Sequence, residues 1–281
     1  MTKHGDVELS FRPLFRKRFT RGIQKELSMI LKSFGFSDPG RHRHRNEDRY
    51  LCDEKEGLFL VADGMGGRSS GDKASQLAVE SVQEFVIRSR SEDMEWPVKK
   101  RKSLSLEQNR LLAAFFYANN RIYELSARHP SMRGMGTTLV GALVDGKHLA
   151  IANVGDSRLY RVREDKITQI TRDHSVVGEK QRKGLLSDEE ARRHPERHLL
   201  TRALGVETRP TVDLFAHDIK PGDLFLLCSD GLYGTISDEA ILNIIKSHEQ
   251  EALYKIGMSL VLKASLEDAM DDITVVLILF H

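Results

Sequence analysis

Short apolar runs alternate along this chain with a few longer amphipathic stretches. Leu58 to Ala62 is a compact apolar run that stops at Asp63-Gly64, Leu224 to Cys228 ends near Asp230-Gly231, and Ile273 to Phe280 closes the chain. Runs of this length bounded by turn-forming residues predict buried strands. Thr137 to Val144 and His148 to Val154 predict two more, joined by a hairpin-type turn at Asp145-Gly146. Arg158 to Val162 alternates polar and apolar, the period of a half-buried strand, and a further strand starts near Tyr50. Helical periodicity runs from about Ala74 to Ile87 and from Ser105 to Ala127, where Leu111, Phe115, Ala118, Ile122 and Leu125 share one face. Ser105-Leu106-Glu107-Gln108 has the form of a capping box. Asp238 to Lys246 and Gln250 to Ala264 fit two further helices. Helices therefore come in pairs between groups of strands, not in β-α-β alternation. That predicts an α+β fold in which antiparallel sheets are covered by helix pairs.

Three segments depart from this pattern. Ser89 to Ser103 is charged, holds Pro97 and the single tryptophan Trp96, and reads as a loop insertion; its Lys99-Lys100-Arg101-Lys102 run reads as solvated rather than as a localisation motif. Arg172 to Leu204 is polar and rich in Arg, Glu and His, as expected of a surface subdomain laid over the core. The first thirty residues interleave Phe11, Leu14, Phe15 and Phe19 with Arg12, Arg16, Lys17, Arg18, Arg21 and Lys25. They read as a solvated extension with a few docked side chains or as an amphipathic arm for a partner or an anionic surface. The stretch lacks the apolar core of a secretory signal.

Composition narrows the classes. The 281 residues are 40% hydrophobic and 30% charged, which fits a globular chain with a sizeable core. No apolar run approaches the roughly 20 residues of a membrane helix, so no membrane span is expected. The net charge of +2, from 43 basic and 41 acidic residues, is too even to point to nucleic acid. Cys52 and Cys228 are the only cysteines and stand far apart, so neither a disulfide scaffold nor a zinc finger is expected, and a cytoplasmic location is. Cys228, inside an apolar run, reads as an inert core thiol.

The chemistry lies in carboxylates at strand ends. Asp63, Asp156 and Asp230 each stand at or just past the end of an apolar strand, Asp271-Asp272 precedes the last strand, and Asn46-Glu47-Asp48 precedes the strand near Tyr50. Any one Asp-Gly pair taken alone reads first as a turn, because Gly accepts positive φ and Asp bonds its own backbone; Asp145-Gly146 reads as only that. Five acidic clusters abutting strands are a different matter. If those ends converge, the carboxylates repel unless cations neutralise them. Oxygen-only ligands select Mg²⁺ or Mn²⁺ rather than Zn²⁺. Two such ions about 4 Å apart can clamp a phosphate and generate hydroxide for in-line attack. The nearby Gly40-Arg41-His42-Arg43-His44-Arg45 run could supply a guanidinium for two phosphoryl oxygens or be a solvated loop, and periodicity does not say which arginine points inward.

Taken together, these residues resemble the metal-dependent protein phosphatases of the type 2C serine/threonine family, in its compact bacterial form. The matching stretches are Gly40-x-x-Arg43-x-x-Asn46-Glu47-Asp48, Val61-Ala62-Asp63-Gly64-Met65-Gly66-Gly67, Gly71-x-x-Ala74-Ser75, Gly136-Thr137-Thr138, Ala152-Asn153-Val154-Gly155-Asp156-Ser157-Arg158, Thr171-Arg172-Asp173-His174-Ser175, Leu200-Thr201-Arg202-Ala203-Leu204-Gly205, Cys228-Ser229-Asp230-Gly231-Leu232 and Asp271-Asp272-Ile273-Thr274. They run in the family's order from about residue 25 to the end, leaving residues 1–24 as a basic extension and 25–281 as the phosphatase domain.

The resemblance implies a β-sandwich of two antiparallel sheets flanked by helix pairs, with a small flap over about 172–201 that influences substrate choice. It implies that Asp63 bridges two Mn²⁺ or Mg²⁺ ions, that the Gly64 carbonyl binds one, that Asp230 and Asp271 complete the other, and that Asp156 helps bind a third. Glu47 and Asp48 are implied to hold metal-bound waters, and Arg43 to clamp the substrate phosphate. The implied reaction is hydrolysis of phosphoserine and phosphothreonine by a metal-activated water, without a covalent enzyme intermediate. Phosphoprotein substrates, an opposing bacterial Ser/Thr kinase and a monomeric state follow from the same likeness.

Two departures bear on it. Met65 stands where animal members carry a histidine, and cannot donate a proton. The acidic pair before the last strand is Asp271-Asp272 rather than Asp-Asn, with Asp271 the favoured ligand. Thr137 and Thr138 are expected to be strand residues behind the metal site. His174 is expected to be structural or on the surface rather than to meet substrate. The alternatives are a non-catalytic phosphoprotein-binding module on the same fold and a basic scaffold acting through residues 1–30.

Overall fold

The computed structural model describes residues 30–66, 70–248 and 251–281. The basic extension expected over residues 1–24 lies outside them.

Two antiparallel sheets face each other. The first has the order β1 (Leu31–Asp38), β11 (Ile273–Phe280), β10 (Leu224–Cys228), β7 (Arg158–Arg163), β8 (Lys166–Gln169). The second runs β2 (Asp48–Asp53), β3 (Leu58–Met65), β5 (Leu139–Asp145), β6 (His148–Val154), β9 (Asp213–Asp218), with the two-residue β4 (Gly136–Thr137) paired to the end of β3. Helices α1 (Gly71–Ser91) and α2 (Leu106–Arg128) cover the second sheet; α6 (Asp238–Ser247) and α7 (Leu253–Leu266) cover the first.

This layering explains the unbroken apolar runs. In β3, Phe59 and Val61 point inward against Phe225, Leu227, Val276 and Ile278 of the opposite sheet. Leu58 and Leu60 point outward under Phe85 and Phe115 of the α1–α2 pair. A strand covered on both faces has no water-facing position, so every position is apolar. The chain forms the antiparallel sheets covered by helix pairs that the pattern predicts, arranged as the sandwich that the resemblance implies.

Several boundaries differ from expectation for physical reasons. β3 does not stop at Ala62 but continues through Asp63-Gly64 to Met65, because Gly64 and Met65 pair with Thr137 and Gly136. The strand expected over Thr137 to Val144 is split at Thr138, whose N–H leaves the ladder to donate to the Asp63 carbonyl (2.8 Å). α1 runs into the expected loop insertion as far as Ser91, its last turns braced by Arg88 bonds to Glu84 and Glu92. The rest of that insertion docks rather than floats: Trp96 stacks edge-on against Phe85 at 5.6 Å, and Lys100 covers its ring. α2 starts as expected, with both halves of the Ser105–Gln108 capping box formed. α7 begins at Leu253; Gln250, the expected start of that helix, lies outside the described residues.

The polar segment expected to lie over the core does so. It carries two short helices, α3 (Val176–Arg182) and α4 (Asp188–Arg193), each capped by a serine side chain, Ser175 and Ser187. Among the described residues no helix is long and apolar enough to cross a membrane.

Candidate metal centre

Both sheets bring their strand ends to one end of the sandwich. Asp48 opens β2 and lies directly across from Asp63 on β3. Asp156 follows β6. From the other sheet come Asp230, first residue of the single-turn helix α5 (Asp230–Tyr233) after β10, and the pair Asp271-Asp272 just before β11. The five acidic clusters expected from the sequence are thus brought together.

Their mutual influence shows how closely they gather. Asp63 is pushed well above the ordinary carboxylate range by burial and then by the charges of Asp48, Asp230, Asp271 and Asp156. Asp48 is raised by burial, by Asp272 and by Asp230, against two hydrogen bonds that favour its ionised form. Asp156 is raised by burial, Asp230 and Asp173, with Arg158 opposing. Asp271 is raised by burial and by Asp230, and Asp272 is pushed up to about 6, chiefly by burial. Like charges in low dielectric resist ionising together.

Hydrogen bonds fix Asp48, Asp63, Asp271 and Asp272 in place. Asp48 Oδ2 accepts from Ser229 Oγ at 2.6 Å, and Ser229 Oγ in turn accepts from the Thr274 N–H. Asp63 is fixed through its backbone: its N–H donates to Thr138 Oγ1 (3.0 Å), and its carbonyl accepts from Thr137 Oγ1 (2.8 Å). Thr137 and Thr138 therefore sit behind the cluster as expected. Asp272 Oδ2 accepts from the Glu47 N–H at 2.7 Å, while Asp271 Oδ2 accepts from Arg43 Nη2 at 2.6 Å. Arg43 also reaches within 3.7 Å of Glu47 Oε2 and stays partly exposed at the rim. Of the run Arg41 to Arg45, it is Arg43 that faces the cluster; Arg45 turns to Asp72 (2.5 Å). Asp230 lies 3.8 Å from His198 Nδ1.

These residues fit a hard divalent cation. Asp48 Oδ1, Asp230 Oδ1 and Asp272 Oδ1 are buried with no hydrogen-bond partner, a costly state for a carboxylate unless a cation is its partner. The donor set is all oxygen. Among the described residues, no three acidic, histidine or cysteine side chains already close around one point. The carboxylates are spread, with Asp271 drawn to Arg43 and Asp230 beside His198.

Backbone packing explains the glycines. A Cβ on Gly64 would lie 2.0 Å from the Gly71 carbonyl oxygen at the start of α1, and one on Gly231 would lie 2.2 Å from the Asp272 carbonyl oxygen. Asp63-Gly64 and Asp230-Gly231 are therefore close approaches between elements, not turns. Asp145-Gly146 is the turn it was read as, with Gly146 at φ 61° and open space where a Cβ would point.

A buried polar network behind the cluster has no counterpart in the sequence reading. Arg158 binds both oxygens of Asp173 (3.1, 3.1 and 2.7 Å), donates to Tyr160 Oη (2.7 Å) and stacks 3.6 Å from the Tyr233 ring. Next along the chain, His174 is buried and structural. The Gly155 N–H can only donate, so His174 Nδ1 accepts (3.1 Å) and the proton sits on Nε2, which faces Asp213 Oδ2 (3.3 Å). Burial, then Arg202, lowers the His174 pKa. The flap root is thus tied to the loop carrying Asp156.

Comparison with known proteins agrees with this geometry. Residues 41–270 match the family model described as protein phosphatase 2C. The serine/threonine phosphatase Stp of Listeria innocua is 36% identical over 250 residues, covering 86% of this chain and 93% of that protein. The crystal structure of the Mycobacterium tuberculosis serine/threonine phosphatase PstP is 33% identical with a TM-score of 0.76, covering 89% of this chain and 99% of that one. A structure of the PstP catalytic domain in complex with two manganese ions is 32% identical, with a TM-score of 0.74 and coverage of 90% and 99%.

Proposed function

The chain belongs to the protein phosphatase 2C family, and on that premise we propose that the acidic end of its sandwich holds two manganese or magnesium ions and hydrolyses phosphoserine and phosphothreonine in proteins. Asp63, centred among the other carboxylates, would contact both ions. The Gly64 carbonyl would bind one, Asp230 and Asp271 the other, and Asp156 a third. When bound, the ions supply positive charge that offsets the carboxylate repulsion, lower the pKa of water towards neutrality and draw charge from the phosphoryl oxygens.

The chain's own groups do the rest. Arg43, at the rim with its guanidinium turned inward, offers a planar fork for two phosphoryl oxygens; it exchanges Asp271 for the phosphate or holds both. Asp48, directly across from Asp63, and Glu47 before it would accept hydrogen bonds from water, orienting it for in-line attack. Asp272 Oδ2, bonded to the Glu47 N–H, fixes that backbone, while its buried Oδ1 stays open to a cation beside Asp271. In the reaction a water oxygen forms a bond to phosphorus as the ester P–O bond breaks, and one water proton passes to the departing Ser or Thr oxygen. Met65 cannot supply that proton. Neither Ser229 nor Cys228 competes with water as nucleophile: Ser229 is engaged with Asp48, and the Cys228 thiol is buried and pushed up by burial.

The observation that carries this reading is the set of buried carboxylates raised by one another, with three orphaned oxygens and Arg43 at their edge. A non-catalytic module finds no missing carboxylate to support it. The test is Mn²⁺-dependent release of phosphate from a phosphothreonine peptide compared with a phosphotyrosine peptide. Asp63→Asn and Asp230→Asn are expected to abolish it, and robust activity in excess chelator overturns it. The natural counterpart is a bacterial Ser/Thr kinase in the cytoplasm, and the enzyme acts as a monomer. Residues 25–281 form the phosphatase domain, with 172–201 as its flap.

A further inference from the structure

A groove of about 760 Å³ runs from Asp230 and Asp271 out beneath the flap. Its two walls differ in charge. The wall formed by the start of α6 and the segment after α7 carries Asp238, Glu239, Glu267 and Asp268. There, Glu267 is paired with Lys263 (2.7 Å), Asp268 meets His42 (2.6 Å), Asp238 accepts from Tyr160 Oη (3.2 Å), and Glu239 has no side-chain partner among the described residues. The flap wall carries Arg172, Arg192 and Arg197. Arg182, close by, is committed to the Asp173 carbonyl (2.7 Å). Among the described residues, the guanidinium groups of Arg172, Arg192 and Arg197 have no hydrogen-bond or ion-pair partner. Arg88, Arg90, Arg110, Arg121 and Arg163 are ion-paired, whereas Arg41, Arg133 and Arg209 are, among the described residues, unpaired like the groove arginines but lie outside the groove. Three unpaired planar cations on one wall of a groove that opens onto the reaction centre form a receptor for carboxylates.

We propose that this groove takes the segment flanking the phosphorylated residue, and that Arg172, Arg192 and Arg197 select segments bearing Asp or Glu. The inference rests on the phosphatase reading, since Asp230 and Asp271 line the same groove and place the phosphoresidue at its mouth. Glu239 on the facing wall disfavours acidic side chains there, so the preference belongs to the flap side. Exposed ion pairs contribute modestly, a factor of about 1.5 to 5 each, so three together give a preference on the order of tenfold. Because the contacts are solvent-facing, the preference falls as salt rises.

The experiment measures kcat/KM with Mn²⁺ for two phosphothreonine peptides of equal length, one flanked by Asp and Glu and one by Lys and Arg, at low and high salt. The expected result is about tenfold faster turnover of the acidic peptide at low salt, carried in KM and shrinking at high salt. The ratio should collapse towards one in the triple variant R172Q/R192Q/R197Q. Equal or reversed rates for the native enzyme overturn the proposal, as does a preference the folded triple variant keeps. If that variant fails to fold, the salt dependence of the native enzyme decides. Failure to hydrolyse either peptide refutes the phosphatase reading instead; the groove is then judged by fluorescence anisotropy of the same two peptides, labelled, where equal affinity overturns it.

Discussion

Arg158 is the residue whose loss should most clearly separate a buried ion pair from a surface one. Its side chain and that of Asp173 are 14% and 9% exposed. Arg158→Met removes the three contacts to Asp173, the bond to Tyr160 Oη and the stack on Tyr233, while keeping much of the apolar stem. Asp173 is left buried with Gln169 Nε2 (2.8 Å) as its remaining side-chain donor. Breaking a buried pair from one side costs about 3–5 kcal/mol, and the surviving Gln169 bond places this case near 3. At about 2–4 °C per kcal/mol for a domain of this size, the melting temperature should fall by roughly 6–12 °C. Arg158→Met/Asp173→Asn removes the stranded charge and should recover most of that loss, giving a coupling of about 2 kcal/mol in a double-mutant cycle. Urea unfolding followed by circular dichroism measures the native protein, Arg158→Met, Asp173→Asn and the double variant. Arg158 also stands two residues after Asp156, and Tyr233 three after Asp230. Arg158→Met should therefore raise the Mn²⁺ concentration for half-maximal activity by about 10–100-fold, as loss of a supporting partner does at other metal sites. A loss below about 1 kcal/mol, or strict additivity of the two single changes, refutes this account of the network.

Two further outcomes follow from the carboxylate cluster and its packing. Asp63 is raised by burial and by four neighbouring acids, so above the ordinary value of 3.8 the folded, metal-free chain binds more protons than the unfolded one and loses stability as pH rises. In excess chelator, Asp63→Asn should therefore gain stability relative to the native protein between pH 5 and 8. With Mn²⁺ at a hundred times its Kd the native protein gains about 2.7 kcal/mol and the order reverses; parallel melting-temperature profiles for the two proteins would sink the idea. Gly231→Ala, inside a helix, should by propensity stabilise by about 1 kcal/mol. The Asp272 carbonyl 2.2 Å from the new Cβ predicts instead a loss of about 1–3 kcal/mol, read by urea unfolding, together with weaker Mn²⁺ binding.

How much of this was readable beforehand depends on what each residue answers to. Strands covered on both faces were legible because every position in Leu58–Ala62 and Leu224–Cys228 must be apolar. The edge strands β8 and β9 and the half-exposed β1 were not, because Lys166–Gln169, Asp213–Asp218 and Leu31–Asp38 mix polar and apolar residues without a clean period. The acids at strand ends were legible as a chemical set, and the structure gathers them. The Arg158–Asp173 pair was not: in an alternating strand an arginine reads as solvated, and only the fold brings Asp173 beneath it. The three Asp-Gly pairs make the same point within one dipeptide. At Gly146 nothing lies within 4 Å of a Cβ, and glycine answers to its own positive φ. At Gly64 and Gly231 the φ is unremarkable, and glycine answers to a carbonyl from a segment distant in sequence or on the neighbouring loop. Local chemistry is written in the dipeptide; the close approach that sets two carboxylates against each other is written in whatever the fold lays across it. That is why residue types at this site could be named from the sequence while supporting groups such as Ser229 and Arg158 had to be seen.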